Sequence, residues 1–326
     1  MSISEFVKNK NLEKTLFTAG PASLLNENLT GLMPCFGRGD NDYLEMENLV
    51  CSQIMDISGH TMIARMQGSG SLALEMMARN FLLGRVLIIS TGYYSERLKF
   101  MATSAAKTEG LISVVEELDF EKIENFSQDF DWIWACSTET SVGLKIPIRL
   151  LHDLAKRCNA RLMLDATASI GLENDHGLAD AISFSSCKGL FGLTGASFIT
   201  FNESPHCKVD SFYLNLRSHL EKKMTGPYHA IASLANVLPN HEKFRQSVVI
   251  NKKRFCKNME KFLTVDDKMQ PLLCTHVSCN LTASNQKVVL YSPRNDIGGS
   301  VVCHIGEVHL GEESKGDIID SLKVNG

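Results

Sequence analysis

Between residues 60 and 200, short apolar runs alternate with longer stretches in which apolar side chains recur every three or four positions. The runs at 62–66, 85–90, 111–115, 132–136, 161–164, 181–185 and 197–201 have strand length, and turn or polar residues bound them. Several are apolar throughout, as expected when helices cover both faces of a sheet. Helical spacing marks 72–83, 95–106 and 148–158, the last beginning just after Pro147, a residue that suits a first helical turn. Strand and helix in alternation predict an α/β layer architecture with a mostly parallel sheet.

The alternation stops around 203–230, where 202–205 reads as a loop and Thr225-Gly226-Pro227 as a turn. A long helical stretch over 228–262 follows, interrupted only by Pro239. Short strands at 288–291 and 300–305 and a terminal helix at 314–322 complete the chain. The expected organisation is an N-terminal arm (1–15), a three-layer α/β/α large domain (16–235) and a smaller C-terminal α+β domain (236–326). A chain of 326 residues is long enough to bury such a core.

Composition narrows the function classes. With 44% hydrophobic residues, 21% charged residues and a net charge of −4, nothing favours a nucleic-acid or membrane-surface partner. Residues 1–14 are polar and charged, unlike a secretory leader, and no apolar run is long enough to span a bilayer. Ten scattered cysteines without a C-x-x-C pair argue for reduced thiols in a cytoplasmic protein, with no metal site.

In an open parallel sheet, ligands sit beyond the carboxyl ends of the strands. The residues following five of the strands are Gln67-Gly68-Ser69-Gly70-Ser71, Thr91-Gly92-Tyr93-Tyr94, Ser137-Thr138-Glu139-Thr140-Ser141, Asp165-Ala166-Thr167 and Ser185-Ser186-Cys187-Lys188-Gly189. Together they offer small residues at a helix N-terminus for a phosphate, an aromatic plate, hydroxyls, a carboxylate and a lysine. Gly68, Gly70 and Ala73 also satisfy a loose G-x-G-x-x-A dinucleotide pattern, although Ser90-Thr91 supplies no acid for a ribose. Taken singly, Asp165 reads as a cap or turn residue and Lys188 as a surface lysine. In combination they meet the needs of pyridoxal phosphate: a lysine for the Schiff base, an acid on the pyridine nitrogen, an anion site and a flat neighbour.

The ordered set carries a family resemblance. Phe17-Thr18-Ala19-Gly20-Pro21, Gln67-Gly68-Ser69-Gly70-Ser71, Gly92-Tyr93-Tyr94-Ser95-Glu96-Arg97, Glu139-Thr140-Ser141-Val142-Gly143, Asp165-Ala166-Thr167-Ala168-Ser169-Ile170-Gly171 and Ser185-Ser186-Cys187-Lys188-Gly189 resemble the class V branch of fold-type I pyridoxal-phosphate aminotransferases. The likeness lies near the 2-aminoethylphosphonate–pyruvate and alanine/serine–glyoxylate transaminases and covers about residues 15–235. It implies that Ser69, Gly70 and Ser71 bind the cofactor phosphate, Tyr94 stacks on the ring, and Thr140 meets its phenolic side. Asp165 would pair with the ring nitrogen, Thr167 would pack on the opposite face, and Lys188 would hold the cofactor. Cys187 stands where relatives often carry Gln or Asn. Thr225 would reach the phosphate of a neighbouring subunit, which implies a homodimer with sites at its interface.

The resemblance further implies transfer of an amino group from a small amine or amino acid, aminophosphonates included, to a keto-acid acceptor. One departure concerns the substrate. Relatives carry an Arg-Ile-Gly step whose arginine grips the substrate's acid group, and here the step reads Cys303-His304-Ile305-Gly306. His304 is therefore the expected substrate anchor; the alternative is that it packs in the small domain and another cation, Arg294 or Arg217, does the anchoring. The alternative reading keeps the cofactor and makes the protein a lyase, decarboxylase or desulfurase of the same fold. Nucleotide-dependent oxidoreduction and a cofactor-binding but catalytically silent scaffold are the more distant alternatives.

Overall fold

Seven apolar runs pair into one twisted sheet: β1 (Met62–Gln67), β2 (Gly84–Ser90), β3 (Ile112–Asp119), β4 (Trp132–Cys136), β5 (Arg161–Asp165), β6 (Ala181–Ser185) and β7 (Ala196–Phe201). The structure is a computed structural model and describes residues 1–32, 37, 39–206, 208–308 and 319–324. The strand order is β1-β7-β6-β5-β4-β2-β3. Only β7 runs against its neighbours, so the other strands point their carboxyl ends at one rim. Each strand corresponds to a run read from the sequence. The reversal of β7 was not foreseen, because a fully buried strand has the same pattern in either direction.

Alternate side chains of the strands enter two separate cores. Leu87, Ile89, Ile133, Leu162, Leu164 and Phe184 pack with Leu151 and Leu154 of the Ile148–Arg157 helix and with Ile231 and Leu234 of the Tyr228–Val237 helix. Val86, Ile88, Trp134, Met163 and Phe201 face the opposite way. They meet Leu74, Met77 and Phe81 of the Gly70–Phe81 helix and Leu98 and Ala102 of the Tyr93–Glu109 helix. This is the three-layer α/β/α arrangement the pattern predicts. The Tyr93–Glu109 helix ends at Gly110, whose φ of 67° is the left-handed cap that glycine adopts without steric cost.

The Asn41–Ser58 helix lies outside the sequence reading. Its buried positions are Tyr43, Glu47, Val50, Ile54 and Ser58, so a glutamate and a serine occupy places where a core stripe would be apolar. Glu47 is tolerated there because the Arg65 Nε donates to it at 2.6 Å. Asp40 caps the helix by accepting from the Asp42 N–H.

The long helical stretch breaks where Pro239 predicts: Tyr228–Val237, a single 3-10 turn at Leu238–Asn240, then His241–Asn258. Beyond it, Cys274–Val277 pairs with Ser300–Cys303, and Leu281–Ala283 with Leu322–Val324. The expected strand 300–305 thus ends at Cys303. Residues 314–318 of the expected terminal helix lie outside the described residues, and Leu322 begins a strand. Near the chain's start, Thr15–Phe17 lies parallel to Val288–Leu290. The N-terminal stretch read as an arm contains the Ile3–Asn11 helix. Among the described residues, no helix is long and apolar enough to cross a membrane.

The segment carrying Lys188 is held by close backbone packing. A Cβ added to Gly189 would stand 2.1 Å from the Ile170 carbonyl oxygen. The obstacle is backbone and cannot step aside. Gly189→Ala is therefore expected to lower stability by about 1–3 kcal/mol. Urea unfolding of the two proteins checks this, and equal midpoints would disprove it.

Candidate active site

The carboxyl ends of the strands enclose a cleft of about 230 Å³. Five strand-following segments contribute to its walls. Gly70 and Ser71 come after β1, Tyr94 and Arg97 after β2, Thr138 and Thr140 after β4, Asp165 and Thr167 at the end of β5, and Ser185 and Lys188 at the end of β6 and after it. The structure therefore brings together Gly70, Ser71, Tyr94, Thr140, Asp165, Thr167 and Lys188.

Asp165 is buried, and its Oδ1 accepts from the Thr167 N–H at 2.9 Å. No arginine or lysine pairs with it among the described residues. The Thr138 and Thr167 hydroxyls are also buried without a partner among the described residues. Lys188 is half-buried and makes no ion pair among the described residues, with its Nζ 5.9 Å from the centre of the Tyr94 ring. Its stem passes over Gly20 (φ 126°), where a Cβ would stand 3.1 Å from Lys188 Cγ. The Ala22 N–H donates to the Cys187 carbonyl at 2.8 Å, which ties the N-terminal segment to the lysine loop.

Two helices begin at this rim, and they are treated differently. The Tyr93–Glu109 helix has an anion built in. Glu139 is fully buried and accepts from the Tyr94 N–H (2.9 Å), the Ser95 N–H (3.3 Å), and both the N–H and the hydroxyl of Ser141. Burial pushes the Glu139 carboxyl up, while these hydrogen bonds pull it back. The Gly70–Phe81 helix has none: its N-cap, Ser69, makes no side-chain capping bond. Arg97 bridges the two, donating to the Ser71 Oγ at 2.9 Å with its guanidinium 4.7 Å from the Tyr94 ring centre. An open helix N-terminus with a guanidinium beside it attracts anions.

Three expected residues stand apart from the cleft. Ser69 is exposed at the N-cap, one residue from the wall. Thr225 is exposed on the loop before the Tyr228–Val237 helix. His304 requires a correction. It is 1% exposed, its Nε2 shares a hydrogen bond with the Thr275 hydroxyl at 3.0 Å, and its ring lies against Phe255. Burial, reinforced by the Lys252 charge, pushes its pKa down to about 3. A neutral ring walled off from the cleft cannot grip an acid group. Arg217, one of the two alternative cations, is exposed and paired with Glu221.

Sequence reasoning gave no role to Arg97, Glu139 or Tyr291. Arg97 and Glu139 stood inside the quoted motifs, and a charge adjoining a phosphate-type turn was the available signal. Tyr291 follows a short strand in the most weakly patterned part of the chain, where no signal marked it.

No family model matches the chain. Among curated proteins, it is 25% identical over 276 residues to the 2-aminoethylphosphonate–pyruvate transaminase of Pseudomonas aeruginosa, a span of 76% of this chain and 73% of that protein. The enzyme of the same name from Pseudomonas putida is 23% identical over 254 residues, 69% of this chain and 68% of that one. Among solved structures, the Thermus thermophilus aspartate aminotransferase of subgroup IV superimposes with a TM-score of 0.80 at 19% identity, over 94% of this chain and 97% of that one. The alanine–glyoxylate aminotransferase of Nostoc sp. gives 0.76 at 18% identity, over 94% of each chain. The chain thus shares the fold of solved pyridoxal-phosphate aminotransferases of fold type I, and its curated relatives are transaminases. Its similarity lies with the class V branch.

The buried histidines make stability depend on pH. His176, held to the Ser169 hydroxyl at 2.8 Å, is pushed down by burial to about 4, and His304 to about 3, from an ordinary value of 6.5. Below pH 6.5 the unfolded chain takes up protons that the folded chain refuses. Stability therefore falls as pH drops from 6.5 toward 4, by up to about 1.4 kcal/mol per unit for each histidine. Urea unfolding between pH 7.5 and 4.5 should show this slope, and His304→Gln should make it shallower. A slope unchanged by the substitution would contradict the burial assigned to His304.

Proposed function

We propose that the cleft holds pyridoxal phosphate on Lys188, and that the protein moves an amino group between a small amine or amino acid and a 2-oxo acid. One observation carries this reading. A lysine and a buried carboxylate, neither with an ion-pair partner among the described residues, line one cleft with the only uncapped helix N-terminus of the two at its rim. The donor set suits the cofactor. Gly70, Ser71 and the helix N–H groups, with Ser69 beside them, suit its phosphate. The unsatisfied Thr138 and Thr167 hydroxyls and Thr140 offer polar contacts, and Tyr94 supplies a flat wall. The P. aeruginosa relative is named for 2-aminoethylphosphonate and pyruvate, which makes that pair the first to assay.

When bound, the cofactor joins to an amine through its aldehyde carbon and draws electrons from the adjoining substrate carbon. The residues do the rest. Asp165 would keep a proton on the ring nitrogen, and the Thr167 N–H fixes that carboxylate's orientation. Lys188 would hold the cofactor through its Nζ, and the same amine, once free, would be the group that moves the proton of the substrate carbon. Arg97, which donates to Ser71, and the open helix end would hold the cofactor's phosphate and so fix its position. Thr225, exposed on its loop, is suited to reach a phosphate bound by a second copy. We read the enzyme as a cytoplasmic homodimer on that basis and on its cysteine pattern.

Lys188→Ala is expected to remove the near-violet absorbance of the bound cofactor and to cut turnover by about 10²–10⁴-fold or more. A borohydride-reducible cofactor adduct in that variant would disprove the role of Lys188. Asp165→Asn should keep the cofactor but slow the proton shuttle roughly 10²–10³-fold, since it removes charge stabilisation where charge develops. Near-normal turnover would make the carboxylate a structural residue only.

A further inference from the structure

Loss of His304 as an anchor leaves a substrate acid group without a partner, and the structure offers one from another element. On the far side of Lys188 a second recess is walled by Gly20, Tyr94, Tyr291, Ser292 and Arg294. Lys188, Tyr94 and Arg294 line both this recess and the main cleft. Of the charged side chains in the two, Lys188 and Asp165 are engaged with the cofactor in the reading above, and Arg97 is engaged with Ser71 and the Tyr94 ring. Arg294 pairs with no carboxylate among the described residues. Its guanidinium lies 5.5 Å from the centre of the Tyr93 ring and beside the Tyr94 hydroxyl. Stacked on an aromatic face, a guanidinium keeps its donor edge open for the two oxygens of an acid. Pro293 restricts the backbone that presents it.

We propose that Arg294 is the residue that grips the acid group of the amine donor. The substrate class follows: a short amine carrying an oxyanion, either a carboxylate or a phosphonate. This rests on the cofactor reading of Lys188, and Arg294 would serve in the place expected of His304. The anchor is not buried, so water must be displaced when the donor enters. Discrimination then comes from the paired hydrogen bonds more than from charge alone.

The test compares the holoenzyme of wild type, Arg294→Gln and Arg294→Lys. Alanine, 2-aminoethylphosphonate and ethylamine serve as donors, with spectral conversion of the cofactor as one readout. Calorimetric binding of propanoate and of ethylphosphonate, which carry no amine, is the second. Arg294→Gln should raise the half-saturating concentration of the preferred acidic donor by roughly 10–100-fold, weaken the matching probe alike, and leave ethylamine and the resting spectrum unchanged. Arg294→Lys should recover part of the loss. A larger loss for alanine and propanoate assigns a carboxylate, and a larger loss for the phosphonate pair assigns a phosphonate. Unchanged affinity in Arg294→Gln overturns the proposal. So does a loss of cofactor absorbance with donor affinity intact, which would make Arg294 a support for Tyr94. A wild type lacking the near-violet band overturns the cofactor reading, and this one with it.

Discussion

Glu139 sits in the interior with no exposed surface, at the point where the loops after β2 and β4 meet. A carboxylate in such a place is costly unless donors surround it, and here Tyr94, Ser95 and Ser141 supply them. The arrangement satisfies the first turn of the Tyr93–Glu109 helix and fixes the position of Tyr94. Arg97, one turn along, is thereby aimed at Ser71 at the start of the Gly70–Phe81 helix. The geometry of the cleft follows from this pairing. One helix end has its anion supplied by the chain, and the other is left open to a ligand. Any change that loosened Glu139 would move the aromatic wall and the arginine together.

The sheet was legible because each strand is apolar and bounded by turn residues, a signal that survives without knowledge of tertiary contacts. The direction of β7 was not, since burial on both faces erases the alternation that distinguishes strand environments. The Asn41–Ser58 helix was illegible for a different reason. Its core stripe contains Glu47, which becomes acceptable because Arg65, eighteen residues on, and Lys222, far along the chain, are beside it. A pattern reading has no access to that pairing. The rim residues were found because α/β topology forces strand ends together, so order along the chain translates into proximity.

The small C-terminal part was read least well, and its strands show why. Leu281–Ala283 and Leu322–Val324 have three residues each, too few for periodicity to register. The motif placed His304 where relatives carry an arginine, but a motif does not say which way a side chain points. Cys303 ends its strand and His304 follows it, and both are buried. His304 falls on the core side, against Phe255 and Thr275, where its charge is suppressed.

A missing arginine on a strand is not equivalent to a missing cation in the site. A strand residue is held rigidly and is buried when the strand is buried. Its side chain must then be either paired or neutral, and His304 is neutral. The loop at 291–294 meets the opposite constraint: it borders water, so an arginine there needs no permanent carboxylate and can be kept for a ligand. Its stacking on Tyr93 supplies part of the orientation that a strand would otherwise give. Tyr93 and Tyr94 lie at the same helix start that Glu139 fixes, with their rings edge to face at 5.3 Å. The surface on which Arg294 rests is therefore positioned by the same buried carboxylate that orders the cofactor side of the cleft.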